Sequence, residues 1–174
     1  ILVLSVAGAE ATAFYFIAWS IGYALYIVTS GMGQSLITEA SLDERALVDL
    51  ARRTVIESAR VVVPGAALLV VAAPWILQLM GDDYSGSASN LLRLIALSAI
   101  PYIVVGTAAN VARVRRRMGQ VVAIYMTIAV VVLGLSALLL APMGITGVGV
   151  AWLAGQSLVA AGVLARYGAR PAVR

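Results

Sequence analysis

Few side chains in this chain could carry chemistry, and they are mostly uncharged or cationic. There is no Cys and no His. That excludes disulfides, thiol chemistry and imidazole metal sites, and it leaves no imidazole to activate a serine. Adjacent Asp82 and Asp83 sit in the turn-like string Gly81-Asp82-Asp83-Tyr84-Ser85-Gly86. Such a pair could hold a divalent cation, although solvation is the commoner role of acids in a turn. The residues therefore predict neither an enzyme nor a cofactor or metal. What remains are ionisable and amide groups close to long apolar runs, which are binding candidates by default. Arg93 lies about two turns into one such run. It could snorkel to headgroups or attract an anion into a cavity. Gln34 and Asn110 lie near the ends of two other runs and could line a vestibule or bond between helices. Glu39 closes a run, where it could mark the interface or form a gate with an arginine such as Arg45. Pro101, with Pro64 and Pro74, could be a hinge or a static kink.

The elements that must position these residues follow from the charge pattern. Of 174 residues 62% are hydrophobic and only 11% are charged, where soluble domains are closer to a quarter charged. Mean hydropathy is +1.00. Every cation is an arginine, and eleven of the twelve fall in three clusters. These are Arg45, Arg52, Arg53 and Arg60; then Arg113, Arg115, Arg116 and Arg117; then Arg166, Arg170 and Arg174. Long uncharged stretches separate them. Arginine is costly at the bilayer centre and accumulates in cytoplasmic loops. The pattern predicts an all-α, polytopic transmembrane bundle with the arginine clusters inside. Anionic headgroups suit the net charge of +4. Nucleic acid does not, because no basic stretch lies on a soluble domain.

A span needs about 20 apolar residues. The first full candidate runs over 11–38, after an apolar stub at 1–7 that reads as the end of a preceding helix. Its aromatics Phe14, Tyr15, Phe16 and Trp19 read as an interfacial belt. Ser41-Leu42-Asp43-Glu44 reads as a capping box that starts a helix. That helix would begin as an amphipathic lead-in, with Leu47, Leu50 and Ala51 on one side and the pairs Asp49–Arg53 and Arg53–Glu57 on the other. It would continue into a second span over 61–80, bent at Pro64 and Pro74. The third span is 88–112, and Arg113, Arg115, Arg116 and Arg117 anchor its end at the membrane surface. Residues 118–165 carry no charge, and Pro142–Gly147 divides them into spans over 119–141 and 146–166. Gly147, Ala151 and Gly155 repeat every four residues, a spacing that lets helices approach closely. Five spans result, with 39–60, 113–118 and 166–174 inside and 8–10, 81–88 and 142–146 outside.

Several strings resemble a known superfamily. Phe14-Tyr15-Phe16-Ile17-Ala18-Trp19 leading to Ser35-Leu36-Ile37-Thr38-Glu39-Ala40-Ser41 is similar to a helix of the multidrug, oligosaccharidyl-lipid and polysaccharide (MOP) exporters. Trp75-Ile76-Leu77-Gln78-Leu79-Met80-Gly81-Asp82-Asp83-Tyr84 resembles their outer-end motif of an apolar run, Gly, two residues and Tyr. Leu91-Leu92-Arg93-Leu94-Ile95-Ala96-Leu97 resembles the helix that follows it. Gly144-Ile145-Thr146-Gly147-Val148-Gly149-Val150-Ala151, with Gly155-Gln156 after it, resembles the Gly-rich entry to a later helix. Each motif alone is weak. Together they cover most of the chain in order, and they are most similar to the Wzx-type lipopolysaccharide and polysaccharide flippases.

The resemblance implies a two-lobe transporter in a bacterial inner membrane. Residues 1–174 would form a single transmembrane domain supplying most of one lobe, taken as the C-terminal one, with the other lobe as partner. It implies that a lipid-linked glycan is flipped between leaflets by alternating access. Cationic groups such as Arg93 would then suit the pyrophosphate. Three rivals stand beside it on the residues alone. A membrane-embedded glycan polymerase or ligase typically needs a sizeable outer loop, and the longest here is about 81–87. A cation-coupled drug antiporter of the same fold needs an intramembrane acid, which the spans lack. A non-catalytic scaffold subunit of a glycan-assembly complex needs no site at all.

Overall fold

The computed structural model describes residues 2–42, 46–79 and 87–168. Asp82–Asp83, the turn around them, and Glu44, Arg45, Arg170 and Arg174 lie outside the described residues. Five helices account for nearly all of the rest: α1 (Leu2–Leu42), α2 (Leu47–Gln78), α3 (Ser87–Val114), α4 (Met118–Met143) and α5 (Ile145–Gly168). Among the described residues there is no strand. Each helix is long and apolar enough to cross a membrane.

The breaks fall where glycine or charge interrupts the apolar runs. Gly8, at φ 85° and ψ 179°, separates a short helical stub from the rest of α1. Its carbonyl accepts a 2.7 Å bond from the Thr12 hydroxyl. α3 and α4 are joined by a tight turn in which Arg116 takes a φ of 54°. Between α4 and α5 only Gly144 is non-helical, at φ 58° and ψ −147°. That backbone region is essentially reserved for glycine.

The entry to α2 departs from the capping-box reading. α1 stays helical through Leu42, so Ser41 belongs to its last turn. α2 begins at Leu47 with Ala46 at its N-cap and no side-chain cap. Burial is the reason: Leu36 and Ala40 of α1 close on Leu47, with Val111 and Val114 of α3 packed against them. This apolar contact holds α1 helical past the cap signal. The lead-in and the second span form one continuous 32-residue helix, as the sequence pattern predicts, although its start lies at Leu47. At 1.5 Å per residue that helix is about 48 Å long, well beyond a hydrocarbon core of about 30 Å. Of the two ion pairs expected around Arg53, the structure forms Arg53–Glu57, at 2.7 Å.

The core is built around α3, the one helix whose most apolar stretch is more than half buried. Leu91, Leu92, Ile95 and Ala99 of α3 pack with Ala18 and Leu25 of α1 and with Val62, Ala66, Ala73 and Leu77 of α2. Val105 meets Ile128 and Val132 of α4 and Val159 of α5. α4 lies outermost and is the most apolar helix, with Val122, Met126, Val130, Leu133 and Leu138 exposed. A soluble fold would not leave so many large apolar side chains in water, whereas lipid solvates them. The small-residue stripe of α5 faces this helix. Gly147 lies on the backbone of Leu139, Ala151 is fully buried, and Gly155 meets Val132. These contacts set the chain antiparallel from helix to helix. The described arginines other than Arg93 and Arg60 therefore gather at one end of the bundle.

Candidate functional site

Two of the sequence candidates come together. Gln34 of α1 and Asn110 of α3 line one cavity of about 240 Å³, with Thr29, Ser30, Tyr102, Arg113 and Tyr125. Every one of these side chains can donate or accept a hydrogen bond, and no carboxylate is among the lining residues. Asn110 is buried and accepts a 2.6 Å bond through Oδ1 from Arg113 Nη1. The Arg113 guanidinium carbon stands 5.8 Å from the centre of the Tyr125 ring, within cation–π range. Ser30 and Tyr102 pair through their hydroxyls at 3.3 Å.

Arg113 does more than its place in the cluster suggests. It reaches back into the bundle, because Asn110 lies one helical turn earlier on the same face of α3. The four arginines separate by position in the turn. Arg116 and Arg117 are exposed, while Arg113 and Arg115 are half-buried and line different cavities.

Asn110 can occupy this position because of Gly33. A β-carbon on Gly33 would collide with Asn110 Nδ2 and lie 3.3 Å from its Cγ. Gly33→Ala is expected to destabilise the bundle by about 1–3 kcal/mol, the usual cost of overpacking. Adding Asn110→Ala should recover most of that loss in thermal unfolding of the intact protein in detergent. Two strictly additive losses would show that Gly33 is not there for Asn110.

A second feature was missed in reading the sequence. Tyr15, Trp19, Tyr23 and Tyr26 are spaced by four, four and three residues, which puts them on one face of α1. They form a stacked ladder with successive ring centroids 6.1, 5.7 and 5.9 Å apart. Trp152 of α5 closes on Trp19 at 4.6 Å, and Tyr102 of α3 closes on Tyr26 at 4.6 Å. Tyr26 is buried and fixed to Ser98 by a 2.6 Å hydroxyl pair. Only part of the supposed belt faces outward: Phe16 is exposed, whereas Tyr15 and Trp19 are half-buried in the ladder. The spacing was the available signal. Tyr102 joins the ladder to the polar cavity. At the opposite end Tyr15 and Trp152 line a cleft of about 600 Å³ that also holds Ser5, Thr12 and Ser136. The Ser136 hydroxyl is buried there with no hydrogen-bond partner among the described residues.

The other candidates lie elsewhere. Arg93 does not line these spaces; its Nε donates a 3.0 Å bond to the Val70 carbonyl of α2. Glu39 accepts a 2.9 Å bond from Ser35. It shares a smaller pocket of about 200 Å³ with Arg53 and Glu57. Pro101 sits inside a continuous α3, next to Tyr102.

The five helices define a multi-pass helical membrane protein. No protein-family model, no curated protein and no solved structure matches the chain.

Proposed function

We propose that the chain forms part of a transporter that flips a lipid-linked oligosaccharide or polysaccharide precursor between leaflets by alternating access. The observation that carries this reading is the aromatic ladder running from the Arg113 cavity to the cleft beside Ser136. A glycan carries many hydroxyls and weakly polarised C–H faces, and its lipid linkage carries phosphate. Hydroxyl and amide groups with one cation suit the phosphate end. Aromatic faces, with their negative quadrupole, suit sugar C–H groups and let a chain slide from ring to ring. In this reading the five helices are most of one lobe, a second lobe closes the path, and the arginine end faces the cytoplasm of a bacterium. The absence of a carboxylate from the described cavity lining weighs against a cation-coupled drug antiporter. A scaffold subunit would need neither cavity nor ladder.

The test uses the intact transporter in proteoliposomes with a fluorescent polyprenyl-pyrophosphate saccharide, read by protection from an impermeant quencher. Arg113→Gln removes a charge-assisted bond worth about 1.5–3 kcal/mol. Flipping should slow about ten- to a hundredfold, with Arg113→Lys recovering part of it. Trp19→Ala with Tyr23→Ala should slow the long-chain substrate more than a monosaccharide one. Unchanged rates in both variants would sink the reading.

A further inference from the structure

A different cavity lies at the arginine end, between α2, α3 and α5. It is a groove of about 410 Å³ with almost wholly apolar walls, among them Ala51, Val55, Val104, Ala108 and Leu164. Arg52 and Arg115 also line it. Among the described residues no carboxylate lines the groove, and neither arginine has an ion-pair partner. The contrast with the neighbouring residue is direct. Arg53 is turned about 100° around α2 from Arg52 and is committed to Glu57.

We infer that this groove holds an anionic diacyl phospholipid, with its phosphate between Arg52 and Arg115 and an acyl chain along the walls. Length supports this occupant. On α3 the groove runs from Val104 to the helix end at Val114, about 15 Å at 1.5 Å per residue, with Arg115 in the turn just beyond. That is close to half of a hydrocarbon core about 30 Å thick, the depth of one leaflet. Charge supports it too: two cations, with no carboxylate among the described lining residues, sit on an apolar groove at the arginine end of three helices. A lone phosphate would use the arginines and leave the walls empty. A helix of a second lobe would cover the walls and leave both charges unneutralised. Only a lipid with a negative headgroup satisfies both parts.

The intact protein, purified in mild detergent, is incubated with equal phosphatidylglycerol and phosphatidylcholine, and the retained lipid is read by native mass spectrometry. Phosphatidylglycerol should be retained in preference. Each interfacial arginine contributes roughly a kilocalorie per mole toward anionic lipid, so R52Q/R115Q should weaken retention about ten- to thirtyfold. Both side chains are at least partly exposed, so the variant should fold. Ala51→Trp, which fills the groove and leaves both arginines in place, should reduce retention as well. Ala51→Trp is scored alongside the melting temperature; if it does not fold, the arginine variant alone decides. Equal retention of the two lipids, full retention by R52Q/R115Q, or displacement by glycerol phosphate at the lipid's own concentration would each overturn the assignment.

Discussion

Replacing Gly147 with alanine is expected to lower the stability of the bundle by about 2–3 kcal/mol, the upper part of the range for overpacking. The same change at Gly162 should be neutral or slightly stabilising. Both glycines lie on α5, and in a helix interior alanine is favoured over glycine by about 0.5–1 kcal/mol. They differ in what a new methyl meets. At Gly162 there is nothing within 4 Å, whereas at Gly147 the methyl lands on the Leu139 backbone, 2.7 Å from its carbonyl carbon. A side chain could rotate away from such a contact, but backbone cannot. The helices are joined there through Gly144 alone, so the clash cannot be relieved by a longer loop. The Gly144 amide bonds to the Leu140 carbonyl at 2.9 Å and the Gly147 amide to the Gly144 carbonyl at 3.0 Å, which pins the corner. Thermal unfolding of the intact protein in detergent compares the two variants directly. Equal melting temperatures would show that α4 and α5 do not pack through this stripe.

The same stripe illustrates what could be read in the sequence. A four-residue repeat of small residues says where two helices come close, and the five spans and their breaks were legible for a similar reason. Charge cannot sit in the apolar core, and charge or glycine marks each corner. Long-range partnership leaves no such trace. Arg113 belongs to a run of charged residues and reads as a surface anchor, yet one turn of α3 brings it to Asn110. The cap signal at Ser41 is a local preference worth about a kilocalorie per mole. It was overridden by the packing of Leu36, Ala40 and Leu47, which joins two helices through α3. The ladder from Tyr15 to Tyr26 was visible as spacing. Its connection to Trp152 and Tyr102, however, depends on α5 and α3 lying beside α1, which spacing does not encode.

Arg93 is the case where two sequence features explain each other only in three dimensions. In an α-helix the carbonyl of residue 70 accepts from the amide of residue 74. Position 74 is proline, which has no amide hydrogen, so the Val70 carbonyl lacks its helical donor. Arg93 Nε supplies one from α3 at 3.0 Å. A charged donor in an apolar bundle and a carbonyl vacated by proline are each costly alone and satisfied together. Arg93→Met is therefore expected to cost about 1.5–3 kcal/mol, the range for a bond to a charged group. Pro74→Ala restores the backbone donor, so the same Arg93→Met change made in that background should cost less by about 1–2 kcal/mol, within the coupling range of directly interacting residues. A double-mutant cycle of unfolding free energies in detergent measures this difference. Additivity within about 0.5 kcal/mol would mean that Arg93 is held by something other than the carbonyl Pro74 leaves free. The coupling would also bear on motion, because it ties α2 to α3 near the end of the bundle away from the other arginines. A coupling of that size would make α2 and α3 move as one body there. In the proposed transporter, any rocking motion would then take place outside that pair.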